Sequence, residues 1–243
     1  MFRSDNNDWL GSVGNRYEVM PNHELAEIMV GIQDRFGGEI LGGQLQGGKK
    51  IYYQMTLPDE RIGGDVIKRH ITCLNSHDGT SSIGFGSTNM VVSCSNMFHR
   101  AMKDLSRFRH TMSASDRLAV AVREFQKALD TDRGLMDDFH AMSQVQIDET
   151  ILEKVMSSVF SVDMQSKMSD TSTRKQNQLS QFQVALAKET REKGGTLWGL
   201  FNAVTYYTNH LEKKQDFNYL MNGAGYKKNL TAFNTIKNHM QKV

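Results

Sequence analysis

Apolar positions change their spacing twice along the chain. Leu25, Ile28, Met29, Ile32 and Phe36 recur at helical intervals, a single stripe on an amphipathic helix. Asn22 after Pro21 suits an N-cap, and Gly37-Gly38 closes the segment as a C-cap does. Beyond it the period falls to two. Ile51, Tyr53, Met55 and Leu57 alternate with Tyr52, Gln54 and Thr56, which predicts a strand with one buried face. Gly47-Gly48, between Glu39–Gln46 and Lys49–Leu57, predicts a tight hairpin, because such turns need positive φ. A third run covers Val66–Ser76. Asp78-Gly79 marks another turn, and a fourth run covers Ser81–Asn96, where Gly84 and Gly86 suggest a bulge or a close backbone approach.

From about residue 97 the period becomes helical again. Ser113 and Asp116 resemble a capping box. Leu118, Val122, Phe125 and Leu129 form one apolar face; Ile151, Leu152, Val155, Met156, Val159 and Phe160 form another. Residues 161–178 are polar and read as a mobile loop, and Leu179, Phe182 and Leu186 begin the next helix. Gly194-Gly195 breaks that helix and Thr196 caps its successor, which Leu197, Leu200, Phe201, Val204 and Leu211 line. Leu230, Phe233, Ile236 and Met240 predict a last helix. The expected class is therefore α+β: an N-terminal helix, a mostly antiparallel sheet, and a helical C-terminal half. The expected organisation is a flexible arm over residues 1–20, an α+β sheet region over 21–112, and a helical region over 113–243 packed on it as one globular unit.

Composition narrows the setting. The chain has 243 residues and two cysteines, Cys73 and Cys94, too few for a disulfide framework, so a reducing compartment and buried, reduced thiols are expected. No apolar run reaches the roughly 20 residues that span a bilayer, and Met1–Asp8 has no signal-peptide character. A cytoplasmic protein with no membrane partner follows as the expectation. Net charge is +2, but residues 66–111 alone carry +4, so the distribution matters more than the total.

Five strings are more particular than periodicity requires: GGQLQGGKK (Gly42–Lys50), NSHDGT (Asn75–Thr80), VVSCSN (Val91–Asn96), FRHT (Phe108–Thr111) and GTLWGLFNAVTYYTNH (Gly195–His210). In this order they resemble the phage/plasmid-like family called domain of unknown function 932, over roughly Gly37–His210. The resemblance implies a gene of a phage, prophage or plasmid, working inside a bacterial host, and carries no established reaction.

The basic cluster supplies the leading functional expectation. Lys49, Lys50, Lys68, Arg69, Arg100, Lys103, Arg107 and Arg109 are the candidate nucleic-acid-binding residues, because phosphate affinity comes from clustered cations that displace counterions. Tyr52, Tyr53, Phe85 and Phe108 are the candidate stacking aromatics for single strands; the bland alternative is a solvated face above core aromatics. Arg107, Arg109 and His110 also precede a predicted helix start, where an anion would be favoured. The expected function is a nonenzymatic accessory protein of phage or plasmid DNA metabolism, of replication or recombination type, favouring single-stranded DNA and acting as a possible homo-oligomer.

Two alternatives stand beside it. One is an enzyme on nucleotides or phosphodiesters using His77, Asp78 and His110, since an imidazole beside a carboxylate can act as a base near neutral pH; against it, Asn and Asp before Gly are ordinary turn chemistry. The other is a protein-interaction factor countering a host protein. A zinc set of Cys73, His77, Cys94 and His99 lacks the spacing of a known finger, so neither metal nor cofactor is expected. No Walker A string, GxSxG elbow, HExxH or dinucleotide fingerprint occurs. Trp198, with Phe201, Tyr206 and Tyr207, lies at helical spacing and is expected in the core rather than on a stacking platform.

Overall fold

The computed structural model describes residues 1–88, 105–110, 114–162, 172–213, 219–220 and 223–241. The expected order of elements is present. Helix α1 (Asn22–Phe36) precedes strands β1 (Glu39–Leu45), β2 (Lys50–Thr56), β3 (Glu60–Ile62), β4 (Asp65–Ile67), β5 (His70–Ser76), β6 (Ile83–Thr88) and β7 (Ser106–Phe108). Helices α2 (Ala114–Gln144), α3 (Glu149–Phe160), α4 (Thr173–Lys193), α5 (Leu197–Tyr206) and α6 (Ala224–Met240) follow, with a π-helical turn at Tyr207–Leu211. The class is α+β. Among the described residues no helix is long and apolar enough to cross a membrane.

The chain divides into two compact units: residues 1–60 with 66–135, and residues 61–65 with 136–243. The first holds a five-stranded sheet in the order β1-β2-β5-β6-β7, every neighbouring pair antiparallel. Its core joins Leu25, Met29 and Ile32 of α1 to Met55, Ile71, Cys73, Ile83 and Phe85 of the sheet and Phe125 of α2. The Phe36 and Phe125 rings lie 4.8 Å apart. The β1–β2 hairpin forms as the glycines require: Leu45 pairs with Lys50, and Gln46, Gly47 and Gly48 all take positive φ. Gly86 is a close approach rather than a bulge, with the Leu105 side chain packed over it.

Several expectations give way. Pro21, not Asn22, is the N-cap of α1, with no side-chain cap; the Asn22 side chain is used elsewhere, as described below. Strand β2 does not present one buried face, because Gln54 and Lys50 on its second face are as buried as Ile51 and Met55 on the first. It is an inner strand, and Gln54 meets its polar need by donating to Thr72 Oγ1 at 2.8 Å. Residues 106–108, placed by their period in a helical stretch, form edge strand β7. The polar segment 161–178 is not all loop: α4 begins at Thr173. Leu230, expected on the apolar stripe of α6, is exposed, whereas Ala232 and Ile236 are buried. Ser113, Cys94 and the VVSCSN string lie outside the described residues.

In the second unit, α3 is capped by Asp148, whose carboxylate accepts from the Ile151 amide at 2.8 Å. Thr196 caps α5 as predicted, its hydroxyl accepting from the Gly199 amide. Phe139, Trp198, Phe201 and Phe233 pack as one aromatic cluster, with ring centroids 4.9 to 6.0 Å apart. A second group joins Phe160 to Phe182 and Tyr207.

Cys73 is buried, as expected, and burial pushes its thiol well above the usual range, because the thiolate would have no solvation there. In a Cys94→Ser background, Cys73 is therefore expected to resist a thiol reagent in native buffer and to react once the protein is unfolded. Equal rates in both conditions would contradict its burial.

Candidate functional site

Strand directions bring the sequence's candidate residues to one end of the sheet and carry others away from it. In an antiparallel order β1-β2-β5-β6-β7, the β1–β2 turn, the β5–β6 turn and the C-terminal end of β7 share an edge. Lys49, Lys50, His77, Asp78, Arg109 and His110 consequently belong to this turn end, with Arg107 one pair in, opposite Gly84. Lys68 and Arg69 precede β5 and lie at the opposite end. There Lys68 pairs with Asp59 at 2.7 Å, and Arg69 pairs with the buried Asp132 at 3.0 Å and donates to the Pro58 carbonyl. The basic patch read from the sequence is thus split, and Arg69 is a structural cation. Arg100 and Lys103 lie outside the described residues.

The first twenty residues complete the turn end. Phe2 and Trp9 form a β-bridge, and the Met1 ammonium donates to the Gly11 carbonyl at 2.8 Å. Arg3 donates to the Gly47 carbonyl at 3.0 Å, which ties this segment to the β1–β2 turn, and also pairs with Asp5. Gly11 crosses the β5–β6 turn so closely that a Cβ there would come within 2.8 Å of the Asp78 carbonyl oxygen. Further on, the Tyr17 hydroxyl donates to the Ser76 carbonyl at 2.7 Å, and its ring stacks on His110 with centroids 4.4 Å apart.

The Asn75–Gly79 segment is held as a turn. Asp78 Oδ1 accepts from Ser76 Oγ at 2.5 Å, Thr80 Oγ1 at 2.6 Å and the Thr80 amide at 2.9 Å. Its Oδ2 faces the Lys50 ammonium at 3.4 Å, and Lys50, 2% exposed, also donates to Thr80 Oγ1 at 2.7 Å. Burial alone would raise the Asp78 pKa, but the hydrogen bonds from Ser76 and Thr80 and the Lys50 charge outweigh it and hold the carboxyl at about 2. His77 is buried, and its Nε2 lies 2.7 Å from Asn22 Oδ1. Because that oxygen only accepts, the proton sits on Nε2. Burial lowers the His77 pKa, against a smaller opposing effect of Asp78.

These contacts bear on chemistry. His77 and Asp78 are neighbours, but the carboxylate is engaged by Ser76, Thr80 and Lys50, and the imidazole by Asn22. The hydrogen bond by which one would orient the other is not made, and a carboxylate held at about 2 is a weak base. Among the described residues no three His, Cys, Asp or Glu side chains gather to hold a metal; Cys94 and His99 of the zinc alternative lie outside them.

The turn end exposes basic and aromatic side chains, with Asp5, Asp8 and Glu18 of the first twenty residues exposed as well. Arg107 and Arg109 are exposed, and Lys49 is half-buried. Of the stacking aromatics named from the sequence, Phe85 is fully buried, Tyr52 and Tyr53 are partly buried in β2, and the Phe108 side chain is not among those described. The exposed rings are instead Phe2 and Trp9, and Trp9 is 56% exposed with Lys49 Nζ 5.1 Å from its ring centroid. Sequence reasoning missed both, because residues 1–20 show no period against which an outward-facing ring stands out. The signal that was there is the tryptophan itself, beside Asp8 in a polar stretch.

A family model described as domain of unknown function (DUF932) matches residues 9–237. No curated protein and no solved structure matches the chain significantly.

Proposed function

The chain belongs to the DUF932 family, and from that premise we propose that it is a nonenzymatic nucleic-acid-binding protein of mobile-element DNA metabolism that favours single strands. The turn end of the sheet is the proposed interface. Trp9 carries the reading: its exposed ring, with a lysine beside it, offers a base a face to stack on next to a charge for its phosphate. Arg107 and Arg109 add charge that can track a phosphate backbone, and Phe2 offers a second ring. Lys50 is left out of the interface because it is buried against Asp78, and Lys68 and Arg69 because they lie at the opposite end of the sheet. The engagement of Asp78 by Ser76, Thr80 and Lys50, and of His77 by Asn22, counts against the enzyme alternative.

The test separates charge from stacking. Mobility shifts of a labelled oligo-dT strand and a duplex are measured over a range of salt. Replacing Arg107 and Arg109 together by alanine is expected to flatten the plot of log affinity against log salt by about 0.7 per lost phosphate contact on the single strand. Trp9→Ala is expected to weaken binding by roughly 1–3 kcal/mol for a lost stack, with the slope and melting temperature unchanged. His77→Ala should leave the slope as it is. A wild-type protein with no salt-dependent binding at low ionic strength overturns the proposal and favours a protein partner for the same surface.

A further inference from the structure

The second unit contains a cavity of about 1040 Å³, large enough for a small-molecule ligand. Its floor is aromatic: Phe160, Tyr207 and Tyr219 line it and are themselves buried. One wall is a face of α4, where Arg174, Asn177, Gln178 and Gln181 follow at helical spacing and all line the cavity. The other wall is α6, with Lys228 5.4 Å from the Tyr207 ring centroid.

Charge in the cavity is unequal. Its only lining carboxylate among the described residues, Glu212, is engaged by Lys228 at 2.5 Å and by the Tyr219 hydroxyl. Arg174 and Lys213 line the cavity, are exposed, and have no carboxylate partner among the described residues. The cavity therefore favours an anion, with the cations toward solvent and the rings beneath. An alkyl chain would suit the floor but not the α4 wall, since it would strip water from the amides there and offer them no hydrogen bonds. A planar ring with donors and acceptors on its edge satisfies both surfaces.

We propose that this cavity binds a nucleoside 5′-phosphate, with the phosphate on Arg174 and Lys213 and the base between the aromatic floor and the amides of Gln178 and Gln181. Gln178 also hydrogen-bonds Tyr207, whose hydroxyl is pushed up to about 12 by burial against the lowering effect of that bond, so it stays protonated. The site is independent of the interface proposed above, which belongs to the other unit.

Calorimetric titration of the full chain with dAMP, dGMP, dCMP and dTMP tests it, with inorganic phosphate and unphosphorylated thymidine as comparators. At least one nucleotide is expected to bind more tightly than either comparator. Arg174→Gln and Gln181→Ala, both at exposed helix positions, are each expected to weaken it about tenfold, the loss of one hydrogen bond to or from a charged or buried group. Val184→Ala, exposed on the same helix and outside the cavity, is expected to bind as wild type does, and unchanged melting temperatures show that the variants fold. Absence of heat with all four nucleotides at millimolar concentration overturns the assignment. So does phosphate binding as tightly as the nucleotides, or wild-type affinity in both variants. The Arg107, Arg109 double-alanine protein should retain the nucleotide, and its loss there would relocate the ligand and refute this site.

Discussion

Replacing Trp198 by alanine is expected to destabilise the protein by about 3–5 kcal/mol, the usual cost of emptying a large aromatic site in a core. Trp198 is 3% exposed, packs against Phe139 and Phe201, and donates from Nε1 to Asp65 Oδ2 at 2.9 Å. Alanine removes the ring contacts and leaves the Asp65 carboxylate with Lys193, at 2.9 Å, as its remaining side-chain partner among the described residues. Trp198→Phe should recover part of the loss, since it restores apolar volume but not the indole donor. Denaturant unfolding followed by circular dichroism measures both variants. If Trp198 were instead a stacking platform, alanine would leave the unfolding midpoint where it is and weaken nucleic-acid binding, the reverse of what burial predicts.

The second large effect is asymmetric across one ion pair. Asp78→Ala removes the carboxylate that faces the buried Lys50 ammonium and keeps the neutral Thr80 Oγ1 beside it, and about 3–5 kcal/mol is expected. Lys50→Met should cost less. Methionine fills a similar volume, and the Asp78 carboxylate keeps its hydrogen bonds from Ser76 and Thr80. Equal losses would mean that the pair, rather than the stranded charge, dominates.

The same residues set a pH dependence. Asp78 is held at about 2 in the fold, below its unfolded value of roughly 3.9. Its stabilising contribution is therefore complete above about pH 4 and is lost as pH falls toward 2. His77 is also lowered by burial, so its contribution is present above its unfolded value of about 6.5 and declines as pH falls below that. Melting temperatures are expected to fall first on acidification below neutrality and again below about pH 4. The second fall should be smaller in Asp78→Ala, so the gap between variant and wild type narrows toward pH 2. A gap that stays constant from neutrality to pH 2 would remove Asp78 from this role.

Much of the fold was legible because it rests on local signals. The α1 stripe from Leu25 to Ile32, the positive-φ turn at Gly47-Gly48, the Thr196 cap and the buried Trp198 each follow from a short window of residues, where period, backbone freedom or a capping hydroxyl decides the outcome, although Phe36 at the end of the stripe is exposed. The succession of a helix, strands and then helices followed from those windows in order. The site was legible only in part. Lys49, His77, Asp78, Arg109 and His110 were named from their residue types, and they share an end of the sheet.

Tertiary structure decided the rest, because it depends on which distant segments meet. Strand β7 is three residues long and has no period of its own; it exists because β6 offers it a ladder. Lys50 reads as a surface cation beside Lys49, yet pairing of β2 with β5 places it over Asp78 and buries it. Strand order sends Lys68 and Arg69 to the far end of the sheet, and Asp132, from a helix more than sixty residues on, meets Arg69 there. Asn22, which looked like a helix cap, turns instead to His77. The sequence by itself determined the elements and the chemistry available, through interactions between near neighbours. Which cations stay exposed, which carboxylates they meet and which rings face water were settled by long-range pairing, where burial of a charge is tolerated only once its partner has arrived from elsewhere in the chain.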